Sequence, residues 1–304
     1  MTTSQTAAVQ LGFDFTTPIP TPVPEAPELS PREQRLAEAH ATLAAGLAGV
    51  REDPASLAAF LAFSARFRTY SARNQMLVFV QRPTARFCKG FRAWQAEGRQ
   101  VRKGERGIKI LAPCLRRPTA DEIAGGADPD RRVVYGYRTT TTFDYEQTGA
   151  TGDDALVYTP PATRLDADGP EGLLARLEAV AQTLGYTVTY TEPGYADGRC
   201  RFADRVIEVR PQLSGADRAS VLAHELAHAV AHDPSNRTED VTKASMELQA
   251  EGAAFVALAA LGLDTGRASL PYLKSWAGDD ALSTELTAID RIAGRLLALI
   301  DATC

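Results

Sequence analysis

Cysteine and histidine are both scarce in this sequence of 304 residues, which contains four of each. The cysteines are scattered and form no CxxC pair, which argues against a cysteine-ligated zinc site and against a disulfide scaffold. Chains without a disulfide framework are typical of reducing compartments, so we expect a cytoplasmic protein.

Long apolar runs are also missing. The longest, residues 253–263, is far shorter than the roughly 20 residues that span a bilayer. The N-terminus has no basic region followed by an apolar core, so no secretory signal is expected. These features predict a protein with no membrane partner.

Charge is distributed unevenly along the chain. Residues 31–150 carry 20 Lys and Arg against 12 Asp and Glu, whereas residues 151–304 carry 13 against 23. Within residues 66–117 the count is 14 basic against 2 acidic. Opposite charges in the two halves favour two modules with different partners.

The order of predicted elements gives an α+β protein with two domains. The first domain contains helices starting after Ser30, Asp53 and Ser71, strands near 107–112 and 132–142, and a mobile loop at 119–130. The second contains a helix at 173–184, a strand at 186–190, an antiparallel pair at 200–202 and 206–209, and three further helices. The expected boundaries are a disordered Pro-rich tail at 1–29, a domain at 30–157, a linker at 158–169 and a domain at 170–304.

Three of the four histidines lie in one predicted helix, between Ser214 and Asp233. His224 and His228 form an HExxH pattern, and residues four apart lie on one face of a helix. Two imidazoles placed in this way can bind one metal ion, while Glu225 can accept a proton from a water molecule beside it. The pattern predicts a metal-binding helix.

A catalytic zinc ion needs a third protein ligand. His232 is too far along a straight helix, about 12 Å from the first histidine, so we expect it to be structural or at the surface. Glu247 on the next helix is a better candidate, with Glu251 as an acceptor behind a ligating histidine. The HExxH and ExxxE spacing resembles that of gluzincin peptidases of the thermolysin type. Glu251 as the ligand remains an alternative.

The predicted site favours Zn²⁺, although Mn²⁺ or another divalent ion remains open. Glu225 would be the general base for attack of water on a peptide carbonyl. Tyr195 and Tyr272 are candidates for stabilising the oxyanion, although tyrosines more often have a structural role.

The basic segment at 66–117 interleaves its cations with Tyr70, Phe79, Phe87, Phe91 and Trp94. Cations that follow phosphates and rings that stack on bases are typical of proteins that bind single-stranded nucleic acid. A basic surface over an aromatic core is the alternative interpretation.

Motifs in both halves resemble those of ArdC-type antirestriction proteins, over roughly residues 31–300. The N-terminal motifs are Asn74-Gln75-Met76-Leu77, Gln81-Arg82-Pro83, Gly90-Phe91, Gly104-Glu105 and Phe143-Asp144. The C-terminal HExxH and ExxxE segments are similar to the metallopeptidase domain of that family, which is related to the ImmA/IrrE group.

This resemblance implies an N-terminal domain that binds single-stranded DNA and a zinc-type, gluzincin-like peptidase domain. It also implies carriage on plasmids or phages and protection of incoming DNA from host restriction. The matched positions that could contact DNA are Arg73, Asn74, Gln81, Arg99, Lys103 and Arg106, with Trp94 as a possible stacking ring.

Two other functions are compatible with the same residues. One is a regulatory metalloprotease that cleaves a repressor or host restriction protein. The other is a DNA-binding module in which the metal is structural and no peptide is cut.

Overall fold

The computed structural model describes residues 29–158, 169–194, 196–235, 241–263 and 279–303. Most of the Pro-rich tail and of the expected linker lie outside these ranges. None of the helices in these ranges is long and apolar enough to cross a membrane.

Three helices open the N-terminal half: α1 (Pro31–Glu52), α2 (Pro54–Ser64) and α3 (Ala72–Gln81). Ser30 and Glu33 form the predicted capping box of α1. The carboxylate of Asp53 accepts hydrogen bonds from the first turn of α2.

Short strands and helices complete this half. Three strands form an antiparallel sheet in the order β1, β4, β3, and two others form a separate antiparallel pair, β2 with β5. In chain order these elements are β1 (Cys88–Gly90), α4 (Phe91–Ala96), β2 (Arg99–Val101), β3 (Ile108–Arg116), α5 (Ala120–Ala124), β4 (Val133–Asp144), a 3-10 turn (Tyr145–Gln147) and β5 (Thr148–Ala150).

The helix α5 corrects the prediction of a loop at 119–130. Thr119 and Glu122 form a capping box, and both oxygens of Glu122 accept hydrogen bonds from Arg116. These bonds hold the first turn of the segment in a helix despite its glycine and aspartate content.

The C-terminal half surrounds a small sheet with helices. Its elements are α6 (Gly169–Thr183), β6 (Thr187–Tyr190), β7 (Gly198–Arg201), β8 (Val206–Val209), α7 (Gly215–Ala231), α8 (Lys243–Leu261) and α9 (Asp279–Asp301). The predicted antiparallel pair, β7 with β8, is confirmed. The third strand, β6, pairs parallel to β8, so the sheet is mixed.

The two halves share a hydrophobic core. Phe60 and Leu61 of α2 belong to the same buried cluster as Leu248 of α8 and Ile289 of α9. At its edge, the Arg68 guanidinium donates to the Asp290 side chain at 2.9 Å. The α+β class is as predicted, and α7, α8 and α9 are held together by this packing.

Candidate metal centre

Two imidazoles meet on one face of α7. Ser214 caps this helix by accepting a hydrogen bond from the Asp217 amide. His224 and His228 are four positions apart in the sequence, and their Nε2 atoms lie 3.1 Å from each other. The HExxH spacing therefore brings two imidazole nitrogens to one point, as the sequence predicted.

The third group comes from α8. One oxygen of Glu247, Oε2, lies 3.5 Å from the Nε2 atoms of both His224 and His228. Metal bonds of ~2.0–2.1 Å in a tetrahedron would separate ligand atoms by roughly 3.4 Å. The three atoms form a triangle of nearly this size. In the described part of the chain, they are the one set of three His, Cys, Asp or Glu ligand atoms found close enough to hold a metal ion.

Glu251 lies behind His224, one helical turn beyond Glu247. Its Oε2 is 3.0 Å from Nδ1 of His224, the ring nitrogen that points away from the triangle. A carboxylate at this nitrogen leaves Nε2 free to bind a metal. This is the position that the sequence analysis predicted for it.

Glu225 is buried, with 7% of its surface exposed. Its carboxylate accepts a hydrogen bond from the backbone of Cys200 on β7. At Gly198 a Cβ atom would lie only 2.7 Å from Oε1 of Glu225, so glycine is needed for this close approach of strand and helix. Burial raises the pKa of Glu225, although the adjacent imidazoles of His224 and His228 oppose the rise.

The electrostatics of the site favour a cation. Burial alone would lower the pKa of His224, but hydrogen bonds to Glu247 and Glu251 outweigh it and raise the pKa to about 10. Hydrogen bonds from His224 and His228 lower the pKa of Glu247. Acidic groups that stabilise a proton on an imidazole would also stabilise a divalent cation in its place.

His232 lies outside the triangle, as predicted, but it is not at the surface. It is 1% exposed, and its Nδ1 atom lies 3.0 Å from Nδ1 of His228. On its other side, Nε2 is 3.0 Å from the side-chain oxygen of Gln249, whose amide nitrogen contacts Glu285 of α9. Sequence reasoning missed Gln249 and Glu285. The one local signal for a contact behind His228 was the position of His232, four residues further on and on the same helix face.

A cleft of about 1060 Å³ opens over the three side chains. Gly198 and Arg199 of β7 line one wall, and Met246 and Phe255 of α8 line another. The two tyrosines proposed to stabilise an oxyanion, Tyr195 and Tyr272, lie outside the described residues. The cleft brings Glu225 and the triangle to one accessible surface.

Two of the residues predicted to contact DNA are buried. Trp94 is 0% exposed, and its indole nitrogen donates to the Phe143 carbonyl. The Arg99 guanidinium is covered, donates to Thr148 and Leu156, and stacks on the Tyr145 ring at 4.0 Å. This burial corrects the expectation that Trp94 presents a ring to a base and Arg99 a cation to a phosphate.

Two others bind backbone within the protein. Asn74 donates to the Leu111 carbonyl and accepts from its amide, both at 2.9 Å. Gln81 makes the same pair of bonds with Lys109 at 2.8 Å. Both contacts fall on the edge of β3 that no other strand of the described residues covers, so the two side-chain amides bond to it as a neighbouring strand would.

The remaining three cations are exposed. The side chains of Arg73, Lys103 and Arg106 have no hydrogen-bond or ion-pair partner among the described residues. Two of them sit on one loop that is held in place, since the Gln147 amide donates to the Arg106 carbonyl at 2.8 Å. Phe91 beside β1 is 42% exposed and is the most accessible ring of the basic segment.

Comparison with known proteins identifies a domain in each half. Residues 33–143 match the N-terminal domain of anti-restriction factor ArdC, and residues 181–261 match the IrrE N-terminal-like domain. An uncharacterised protein of Bacillus anthracis is 26% identical over 259 residues, covering 74% of this chain and 43% of that relative. The chain thus spans less than half the length of this relative.

Two solved structures share the fold. The metal-free crystal structure of the antirestriction ArdC protein from plasmid R388 has a TM-score of 0.50 at 20% identity, covering 77% of this chain and 84% of that one. The Mn(II)-bound structure of the same protein gives the same TM-score and identity, with 83% of that chain covered. The chain therefore combines a domain that matches the ArdC N-terminal domain with a following domain that matches the IrrE N-terminal-like domain, and it shares its fold with the ArdC structures.

Proposed function

We propose that this protein binds single-stranded DNA, carries a metal-dependent peptidase site, and protects incoming plasmid or phage DNA from host restriction in the cytoplasm. The observation that carries the enzymatic half is the triangle of His224, His228 and Glu247 beside the buried Glu225. The ArdC N-terminal domain, whose namesake from plasmid R388 is an antirestriction protein, supports the biological role.

The residues present fit a divalent metal. His224, His228 and Glu247 would hold it, and their two nitrogens and one oxygen suit Zn²⁺, while Mn²⁺ is supported by the Mn(II)-bound ArdC structure. Such an ion would supply Lewis acidity and lower the pKa of a water molecule in the cleft.

The chain's own residues would then move protons and position the substrate. Glu225 would accept a proton from water and donate it to the leaving amine nitrogen of a peptide. Its hydrogen bond from Cys200 holds the carboxylate against β7, the edge strand of the sheet that lines the cleft. Residues on β7 are therefore placed to contact a bound peptide.

Metal analysis tests the enzymatic half. We expect the purified protein to bind about one equivalent of zinc or manganese and Glu247→Ala to lose most of it, because two imidazoles alone are a weak site. Glu192→Ala, which removes an exposed carboxylate paired with Arg210, is the matched control. Full occupancy in Glu247→Ala would show that the third ligand is wrong.

The DNA half rests on the exposed cations. Many basic side chains of the segment are already paired, including Arg82 with Asp144 and Lys89 with Glu97. Among the described residues, Arg73, Lys103 and Arg106 have no such partner and are exposed, so their charges are available to phosphates. Phe91 offers an exposed ring for a base in place of the buried Trp94.

Gel shifts on single and double strands across a salt series test this half. Binding to single strands should be tighter and should weaken linearly in log salt. A variant with alanine at positions 73, 103 and 106 should bind less tightly, whereas one with alanine at Arg131 and Arg132 serves as control. If wild type bound no single strand at low salt, the DNA-binding role would be excluded.

A second candidate is a regulatory metalloprotease that cleaves a repressor or host restriction protein, with DNA only localising it. The size of the cleft and its exposed edge strand favour a peptide ligand. Incubation of wild type and Glu225→Gln with candidate partners would distinguish the two. Restriction protection that persists in Glu225→Gln would separate the antirestriction role from proteolysis.

A further inference from the structure

Four buried polar side chains form an unbroken hydrogen-bonded series behind the metal triangle. It starts at His228, passes through His232 and Gln249, and ends at Glu285 on α9, with donor–acceptor distances of 3.0, 3.0 and 2.7 Å. All four are at most 9% exposed. The series joins a predicted ligand to a helix 57 residues further along the chain.

The carboxylate at the far end sets the direction of every bond. The Glu285 carboxylate oxygen accepts the bond from Gln249, whose amide nitrogen therefore faces Glu285. Its carbonyl oxygen then faces His232 and requires the proton on Nε2 of that ring. The Nδ1 atom of His232 is left as an acceptor, so the bond between the histidines must be donated by Nδ1–H of His228.

We propose that Glu285 sets the tautomer of His228 through Gln249 and His232, so that the Nε2 lone pair of His228 is held ready for a metal ion. With its proton fixed on Nδ1, His228 presents a bare Nε2 to the triangle that Glu247 and His224 complete. His232, Gln249 and Glu285 are thus positioning residues. This inference rests on the proposed metal site and adds residues to it.

The two imidazoles of the triangle are prepared by different means. His224 donates directly to the carboxylate of Glu251, whose side chain is 32% exposed. His228 reaches its carboxylate through two intervening side chains, all in the interior. Hydrogen-bond partners of this kind tune metal affinity by about tenfold to hundredfold. This hydrogen-bonded relay from His228 to Glu285 therefore makes the metal affinity of the site depend on how α9 packs against α8.

Breaking the relay should move the proton of His228 from Nδ1 to Nε2. Gln249→Met keeps the length of the side chain but removes its carbonyl and amide, so His232 loses the acceptor that Gln249 supplies at Nε2. His232 can then protonate Nδ1 and donate to His228, which moves the proton of His228 to Nε2 and blocks that nitrogen as a ligand. Glu285→Gln removes the charge that sets the direction and should give a mixture of both tautomers.

Ring nitrogen NMR measures the tautomer directly. The chain has four histidines, so long-range ¹H–¹⁵N spectra of the metal-free protein can be assigned by single substitutions. We expect His228 with its proton on Nδ1 in wild type and at least partly on Nε2 in Gln249→Met. Zinc affinity from chelator competition should fall about tenfold to hundredfold in that variant. Thr287→Ala is the control: it changes an exposed residue of α9, the helix that carries Glu285, and should change neither the His228 tautomer nor the zinc affinity.

The controls separate this inference from the metal site itself. Glu251→Gln should weaken zinc binding while leaving the tautomer of His228 unchanged. A wild-type protein that binds no divalent ion would contradict the proposed function, yet its metal-free spectra would still report the tautomer. A proton on Nε2 of His228 in wild type would overturn the relay. The relay would also be overturned if folded Gln249→Met kept both the wild-type zinc affinity and the wild-type tautomer of His228. If that variant does not fold, the same result in Glu285→Gln would overturn it.

Discussion

The two halves of the molecule use charged side chains in opposite ways. In the C-terminal half, Glu225, His228 and Glu285 are all buried and lie within one connected site. In the N-terminal half, Arg99 is buried with internal partners, whereas Arg106 is exposed and has no partner among the described residues. A buried charge is costly unless it is paired, so buried charged groups in contact with each other indicate a functional site in the C-terminal half. In the N-terminal half, the exposed cations are instead the candidates for a DNA-binding surface.

Metal removal should have the largest effect, and it should act on the C-terminal half. At free metal roughly 1000-fold above the Kd, binding to the native state adds about 4 kcal/mol to the free energy of unfolding. Thermal melts with and without chelator should show this difference in wild type but not in Glu247→Ala. Hydrogen exchange should place the added protection mainly in α7 and α8.

An equal metal-dependent shift in Glu247→Ala would break the comparison, since the metal would then not be held by the triangle. Glu192→Ala, whose carboxylate is exposed, should retain the wild-type shift and serves as the control.

Arg99→Leu should have the next largest effect, on stability. The substitution removes the Arg99 donor from the Leu156 carbonyl and from the Thr148 hydroxyl oxygen, and it removes a cation from the Tyr145 ring. A buried acceptor without a partner costs about 1–3 kcal/mol. Urea unfolding should show a loss of this size. DNA affinity at a temperature where the variant is folded should stay at the wild-type value, because this guanidinium is not accessible.

A loss of DNA affinity in folded Arg99→Leu, without a loss of stability, would show that the side chain leaves its internal partners to bind phosphate. Arg73→Leu is the matched control, since its side chain is exposed and its loss should leave stability within about 0.5 kcal/mol of wild type.

The metal half was more predictable from sequence than the basic half for a physical reason. The i, i+4 spacing of His224 and His228 places both rings on one helix face whatever the rest of the fold does. Burial of Trp94 and Arg99 depends instead on β5 and on residues 49 to 57 positions further along the chain, and no local pattern encodes it.

Other misses have similar causes. The three-residue strands, such as β1 and β2, are too short for an alternating pattern to show. The capping box of Thr119 and Glu122 was present in the sequence, but the glycines that follow it favoured a loop. Glu285 joins the site only because α9 packs against α8, which spacing along the chain does not reveal.

Asn74→Ala should have a smaller effect that tests the role of side-chain amides at the sheet edge. The amide and carbonyl of Leu111 lose their partners, which should lower the free energy of unfolding by about 1 kcal/mol, because water can replace them at an edge strand. Chemical denaturation measures this change, and Gln81→Ala should give a similar loss at Lys109. If both variants kept wild-type stability but lost DNA binding, Asn74 and Gln81 would instead be DNA contacts.

Arg106→Ala should have the smallest effect on stability and a distinct effect on binding. The side chain is exposed and has no partner among the described residues, so the free energy of unfolding should change by less than about 0.5 kcal/mol. If this guanidinium contacts one phosphate of a single strand, the slope of log affinity against log salt should fall by about 0.7. Titrations at several salt concentrations measure the slope, with Arg132→Ala as the control. An unchanged slope would move the interface away from the loop of Lys103 and Arg106 and leave Arg73 as the remaining predicted contact with an accessible charge.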